Sequence, residues 1–182
     1  LANIRQQILE EERKQAREQA QQAREAIVTE AEQLSTSTSW KQTGERFREL
    51  VEQWKALPKP SVEQRTDTDA LWERFRTARR TFDKARKVHR DEQDRRRAAA
   101  IAAKTDLAEK AEALADSTDW PTTAAAFRDL MEQWKKAGFA GKKDDDALWQ
   151  RFRGAQETFF SARKETFNTR DNEQKQNLAR KR

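Results

Sequence analysis

Large apolar side chains recur along this chain at helical spacing. Trp40, Phe47, Leu50 and Trp54 lie 7, 3 and 4 residues apart, which places them on one stripe of an α-helix. Leu71, Trp72, Phe75, Ala78, Phe82 and Ala85 form a second stripe, with small alanines between large aromatics. The same residues then return. Trp120, Phe127, Leu130, Trp134 and Lys135 repeat Trp40, Phe47, Leu50, Trp54 and Lys55 at an offset of 80. Leu148, Trp149, Phe152, Ala155, Phe159 and Ala162 repeat the second stripe at an offset of 77, so the second loop is 3 residues shorter. Ile27, Ala31 and Leu34 are matched by Leu107, Ala111 and Leu114, which supplies a third stripe in each copy. Three apolar stripes that face one another make a three-helix bundle. The expected fold is all-α: two tandem three-helix units sharing one long continuous helix, in an elongated arrangement.

The polar positions set the boundaries. A first helix is predicted from near Ala2 to Leu34, ended by Ser35 to Ser39. A short one follows from about Lys41 to Ala56, ended by Leu57-Pro58-Lys59-Pro60. Between Pro60 and Pro121 there is neither Gly nor Pro, and the segment is dense in strong helix formers. Its helix is predicted to start at Asp67 to Asp69, where carboxylates suit the positive end of the dipole, and to run to about Ala115. The next runs from Pro121, a favoured first-turn residue, to about Lys136 and is ended by Gly138 and Gly141. The last starts after Lys142-Lys143-Asp144-Asp145-Asp146 and continues towards Asn177. This divides the chain into a helical lead-in (1–22), repeat 1 (23–90), a helical connector (91–102), repeat 2 (103–167) and a polar helical tail (168–182).

Composition sharpens the picture in one respect. With 38% charged residues and a mean hydropathy of −1.21, the chain approaches the make-up of disordered segments. Six Trp and nine Phe at regular spacing argue instead for thin, aromatic-rich cores under a wide charged surface. There is no cysteine, so disulfides and thiolate-held metals are excluded. No apolar run approaches the roughly 20 residues that span a bilayer. The expected setting is the cytoplasm, with nucleoid association one form of it.

The framework carries a resemblance. Trp-x6-Phe-x2-Leu-x3-Trp-Lys, a polar loop, then Leu-Trp-x-x-Phe and a later Phe is similar to the bacterial family called domain of unknown function 349. Two copies cover roughly residues 23–90 and 103–167. The resemblance implies tandem helical repeats in a cytosolic bacterial protein longer than this chain. It brings no established activity, and so no catalytic residue or cofactor.

Charge is the leading functional signal. From Trp72 to Lys104 there are 12 Lys and Arg against 5 Asp and Glu; the rest of the chain has 26 against 27. The net charge of +6 is therefore concentrated in the long predicted helix. Arg74, Arg76, Arg79, Arg80, Lys84, Arg86, Lys87, Arg90, Arg95, Arg96 and Arg97 could offer phosphates a ladder of cations. Arg151, Arg153, Arg163 and Lys164 repeat Arg74, Arg76, Arg86 and Lys87 in the second unit. Such contacts bind DNA or RNA without reading sequence and weaken steeply with salt. The competing reading is a solvated or internally paired face. Arg48 with Glu52 and Arg128 with Glu132, for example, stand at i,i+4.

Other candidates fall to simpler roles. The Trp residues have the spacing of core positions rather than of base-stacking platforms. Phe160 and Phe167, whose counterparts are Asp83 and Arg90, cover either a neighbouring helix or a partner chain. Asp144 to Asp146 read as a helix start rather than a cation site. His89, the one histidine, reads as surface or groove lining. Without Cys, Tyr, a Gly-rich phosphate loop or a nucleophile–base constellation, the chain is not expected to be an enzyme. Two functions remain: a nucleic-acid binder with no sequence preference, or a rod-like protein-interaction scaffold. Self-association through antiparallel helices, Glu10 to Glu12 against Arg95 to Arg97, is a further form of the second.

Overall fold

The computed structural model describes residues 1–181. The element order is α1 (Ala2–Leu34), α2 (Trp40–Ala56), a 3-10 turn (Val62–Gln64), α3 (Arg65–Leu114), α4 (Trp120–Lys136) and α5 (Lys142–Arg180). No strand occurs among the described residues. Two compact units divide the chain, Leu1–Arg90 and Asp91–Arg182. α3 runs without a break through that boundary, closing the first unit and opening the second.

In the first unit the three stripes meet as one core. α1 gives Ile27, Val28 and Ala31, α2 gives Phe47 and Leu50, and α3 gives Leu71, Phe75, Ala78 and Phe82. The second unit repeats it with Leu107 and Ala111 of α3, Ala124, Phe127 and Leu130 of α4, and Phe152, Ala155 and Phe159 of α5. The aromatic geometry is copied as well. Phe47 and Phe82 lie 5.3 Å apart and Phe127 and Phe159 5.2 Å apart, both tilted by 34°. Such offset pairs add to the area they bury. The phenylalanines fill the centres, while all six tryptophans are only partly buried and pack along the flanks.

The corners repeat too. Ser37 and Ser117 each hold a threonine hydroxyl of the next helix at 2.7 Å, Thr43 and Thr123. The same serines accept from the backbone N–H of Ser39 and Asp119. These hydroxyls close the turn into α2 and α4 in place of a side-chain helix cap. The 3-residue difference between the copies also has a physical identity. Arg65 and Lys142 open equivalent helices, and the additional residues are the turn Val62–Gln64, closed by a capping box between Ser61 and Gln64. The second unit turns instead through Gly138 (φ 86°) and Gly141 (φ 98°), backbone that a side chain resists.

Several expectations are corrected here. Ala85 and Ala162 are exposed, not core. At that level of the bundle the inward place belongs to Arg86, whose guanidinium lies against Gly44 of α2. α5 starts at Lys142 rather than after Asp146, so Asp144 and Asp145 sit within its first turn. α3 likewise starts at Arg65, ahead of Asp67. The described ion pairs join Glu52 to Lys55 and Glu132 to Lys135, at i,i+3, rather than to Arg48 and Arg128. His89 is half-buried and stacks on Trp40 at 5.0 Å.

Candidate nucleic-acid interface

The cations sort into three groups according to what they touch. The first serves the bundles. Arg74 of α3 reaches Glu32 of α1, and Arg151 of α5 reaches Glu112 of α3, both at 2.5 Å. The two residues repeated at this position therefore do the same work, which is to tie the third helix of a unit to its first. Hydrogen bonding to Glu32 raises the Arg74 pKa, and hydrogen bonding to Glu112 raises that of Arg151. Arg46 adds a second bracket, on Glu30 and Glu49. Three further cations are paired within their own helix and bridge none: Arg76 with Glu73, Arg153 with Glu157, and Arg79 with Asp83 at 4.0 Å.

The brackets have a pH signature. Hydrogen bonds from Arg46 and Arg151 hold the Glu30 and Glu112 carboxyls below the ordinary carboxylate range. A depressed folded-state pKa stabilises above the unfolded-state value, and the benefit is lost as pH falls through the folded-state value. Urea midpoints should therefore drop on going from about pH 5 to about pH 3, and Glu30→Gln with Glu112→Gln should flatten that drop.

A second group is buried. Arg24 of α1 and Lys104 of α3, again 80 residues apart, are 2% and 7% exposed. Each lies over the tryptophan that closes the short helix of its own unit, Arg24 at 5.7 Å from Trp54 and Lys104 at 5.2 Å from Trp134. From that shared place each holds a different loop. Arg24 donates to the Pro58 carbonyl and, at 3.1 Å, to Gln21, while its Nε has no partner. Its pKa is lowered by burial. Lys104 donates to Asp145 at 2.6 Å, and Asp145 accepts the Ala140 N–H at 3.2 Å. Sequence reasoning counted Lys104 among the cations of the basic stretch and missed its role. The available signal was its offset of 80 from Arg24, on the same helical face as the apolar stripe.

What remains is the candidate interface. Among the described residues, Arg80, Lys84, Arg86, Lys87, Arg90, Arg95, Arg96, Arg97, Arg163 and Lys164 are not in the described ion pairs, all of which are within 4.0 Å. Two of these are not free of other work. Arg86 packs on Gly44, and Arg163 lies over Phe167 at 5.3 Å with its Nε buried. In the first unit Arg80, Lys84 and Lys87 are all exposed, and their spacing of 4 and 3 sets them on one stripe of α3, turned away from Phe75 and Phe82. In the second unit Arg96 and Arg97 share a groove with Gln93, Ala99, Ala137, Gly138 and Phe139. Phe160 and Phe167 cover α4, Phe160 against Phe127 at 5.9 Å and Phe167 against Trp120 at 6.4 Å, though more than a third of each stays exposed.

No helix among the described residues is long and apolar enough to cross a membrane. No curated protein and no solved structure matches the chain. A family model does match, described as Domain of Unknown Function (DUF349), over residues 2–61, 70–143 and 147–182. Each of its later segments opens near the start of a long helix, α3 or α5, and the second runs through the short helix α4 and closes at the start of α5. With nearly its whole length matched, the chain belongs to the DUF349 family.

Proposed function

We propose that this chain is a non-enzymatic helical-repeat protein that binds nucleic acid through its cations, without reading sequence. One observation carries the reading. After the bundles have taken the arginines they need, Arg80, Lys84 and Lys87 remain as an exposed stripe outside the described ion pairs. The stripe covers about 10 Å of helix at ~1.5 Å per residue, enough to meet successive phosphates of a backbone. A cation committed to a carboxylate offers a phosphate little, so the division between bracketing and free arginines concentrates the interface. Phosphate contact of this kind gives affinity with no base readout, and the cytoplasm, where DNA and RNA are found, is the setting it implies.

Reversing the stripe tests the reading. Arg80→Glu, Lys84→Glu and Lys87→Glu together should weaken binding to DNA and RNA alike. The dependence of log affinity on log salt should become shallower by about 3, at roughly 0.9 per lost phosphate contact. Circular dichroism and the thermal midpoint should hold, because none of the three touches a core. Unchanged affinity in the folded variant would refute the assignment.

A protein-interaction reading rests on a separate observation. Ile4 and Ile8 of α1 stand at i,i+4 and are 58% and 53% exposed, and Leu9 beside them is 51% exposed, an apolar cluster at the start of the helix. A scaffold working through them would keep its partners in nuclease and high salt, whereas a polyanion binder would release them.

A further inference from the structure

The groove of the second unit differs from the stripe of the first in holding an aromatic ring. Phe139, in the loop between α4 and α5, is 61% exposed. It lines a groove of about 460 Å³ with Gln93, Arg96, Arg97 and Gly138. Among the described residues no carboxylate lines this groove, and neither guanidinium takes part in the described ion pairs. The equivalent loop of the first unit has Lys59 where this one has Phe139.

The exposure of Phe139 is held in place by its surroundings. On one side Gly138 takes a positive φ, a conformation that a residue with a side chain resists. On the other, the Ala140 N–H is fixed by Asp145, which the buried Lys104 holds in turn. Ala140 itself is 2% exposed. The loop is thus tied down at Ala140, immediately after a ring that it turns outward. Turning an apolar ring to water forgoes the stabilisation of burial.

We propose that this groove binds an unpaired nucleotide of a single-stranded nucleic acid: Phe139 stacks on the base, and Arg96 and Arg97 hold the flanking phosphates. A flat ring stacks on any base, and planar guanidinium forks suit phosphate oxygens. Bases within a duplex are already stacked and leave no face for Phe139, so the groove distinguishes single strands from duplexes without reading sequence. The inference rests on the electrostatic function proposed above and adds to it a strand preference seated in the second unit.

The test is fluorescence anisotropy with three labelled probes of equal length: oligothymidylate, an abasic deoxyribose-phosphate chain and a duplex. The intact chain should bind oligothymidylate more tightly than the abasic chain. Phe139→Ala should weaken oligothymidylate binding by about 5- to 100-fold, to the abasic level, with abasic and duplex binding unchanged. Phe139→Trp should retain the preference, and both variants should keep the parent circular dichroism spectrum. If the intact chain binds none of the probes, the electrostatic function itself fails. If it binds all three and Phe139→Ala leaves the preference for bases intact, the groove assignment alone is overturned. Capture of an acidic peptide by Arg96 and Arg97 that oligothymidylate does not displace would overturn it as well.

Discussion

Phe75→Ala is expected to destabilise the first unit by about 3–5 kcal/mol, the cost of truncating a large aromatic that the surroundings cannot replace. Phe75 is 1% exposed. It meets Phe47 edge-on at 5.9 Å and stacks with Trp72 at 5.0 Å, so α2 and α3 both lean on the ring. A domain's whole stability is about 5–15 kcal/mol, and this unit has few other large side chains at its centre. Loss of one leaves the fold marginal. Trp54→Ala should cost less, because Trp54 is partly buried at the flank and makes its closest ring contact with Trp72 at 5.1 Å. Urea unfolding with hydrogen exchange resolved along the chain would measure both. Protection should collapse within Leu1–Arg90 for Phe75→Ala and decline partially for Trp54→Ala. Equal effects of the two would contradict the distinction between centre and flank.

The helices were legible because a single physical requirement, burial of apolar stripes, sets their register twice over. Trp40, Phe47, Leu50 and Trp54 predict α2 to within a residue of Trp40–Ala56, and the repeat makes the same prediction of α4. Extending the stripe to Ala85 failed, because spacing alone does not say which of two neighbouring positions turns towards the opposing helix, and α2 runs on past this level to Trp40, on which His89 stacks. At that point Arg86 meets the backbone of Gly44 instead. The start of α5 failed for a related reason. Three consecutive aspartates suggest the edge of a helix, yet carboxylates are as well accommodated within the first turn, and the chain is turned earlier, at Gly141.

Charges were less legible than apolar residues. A stretch with 12 Lys and Arg against 5 Asp and Glu does not disclose which arginines reach across to another helix. Arg74 and Arg80 look alike in sequence, but Arg74 meets Glu32 and Arg80 meets no described carboxylate partner. The repeat held a usable clue, since a cation repeated along with its framework is as suited to bracing that framework as to binding a ligand. Phe139 was hidden for the opposite reason: it has no aromatic counterpart in the first unit.

The buried pair of the second unit should show how far structure and binding depend on each other. Lys104→Met is expected to destabilise that unit by about 2–4 kcal/mol, since removing one partner strands the other's charge away from water. The side chains of Lys104 and Asp145 are 9% and 19% exposed, so solvent relieves the carboxylate only in part. Lys104→Met combined with Asp145→Asn should recover much of the loss. The stranded charge is then gone, Met fills most of the lysine's volume over Trp134, and the asparagine carbonyl still accepts the Ala140 N–H. A double variant as unstable as the single one would mean that the pair acts mainly through mutual attraction rather than by avoiding an unpaired charge. The two variants also separate posture from stability. Asp145 positions Ala140, the neighbour of Phe139, so Lys104→Met should lose single-strand preference along with stability. The double variant, with its loop anchored again, should regain both. If preference stays lost while stability returns, the cation itself contributes to the site, through its field rather than through the loop.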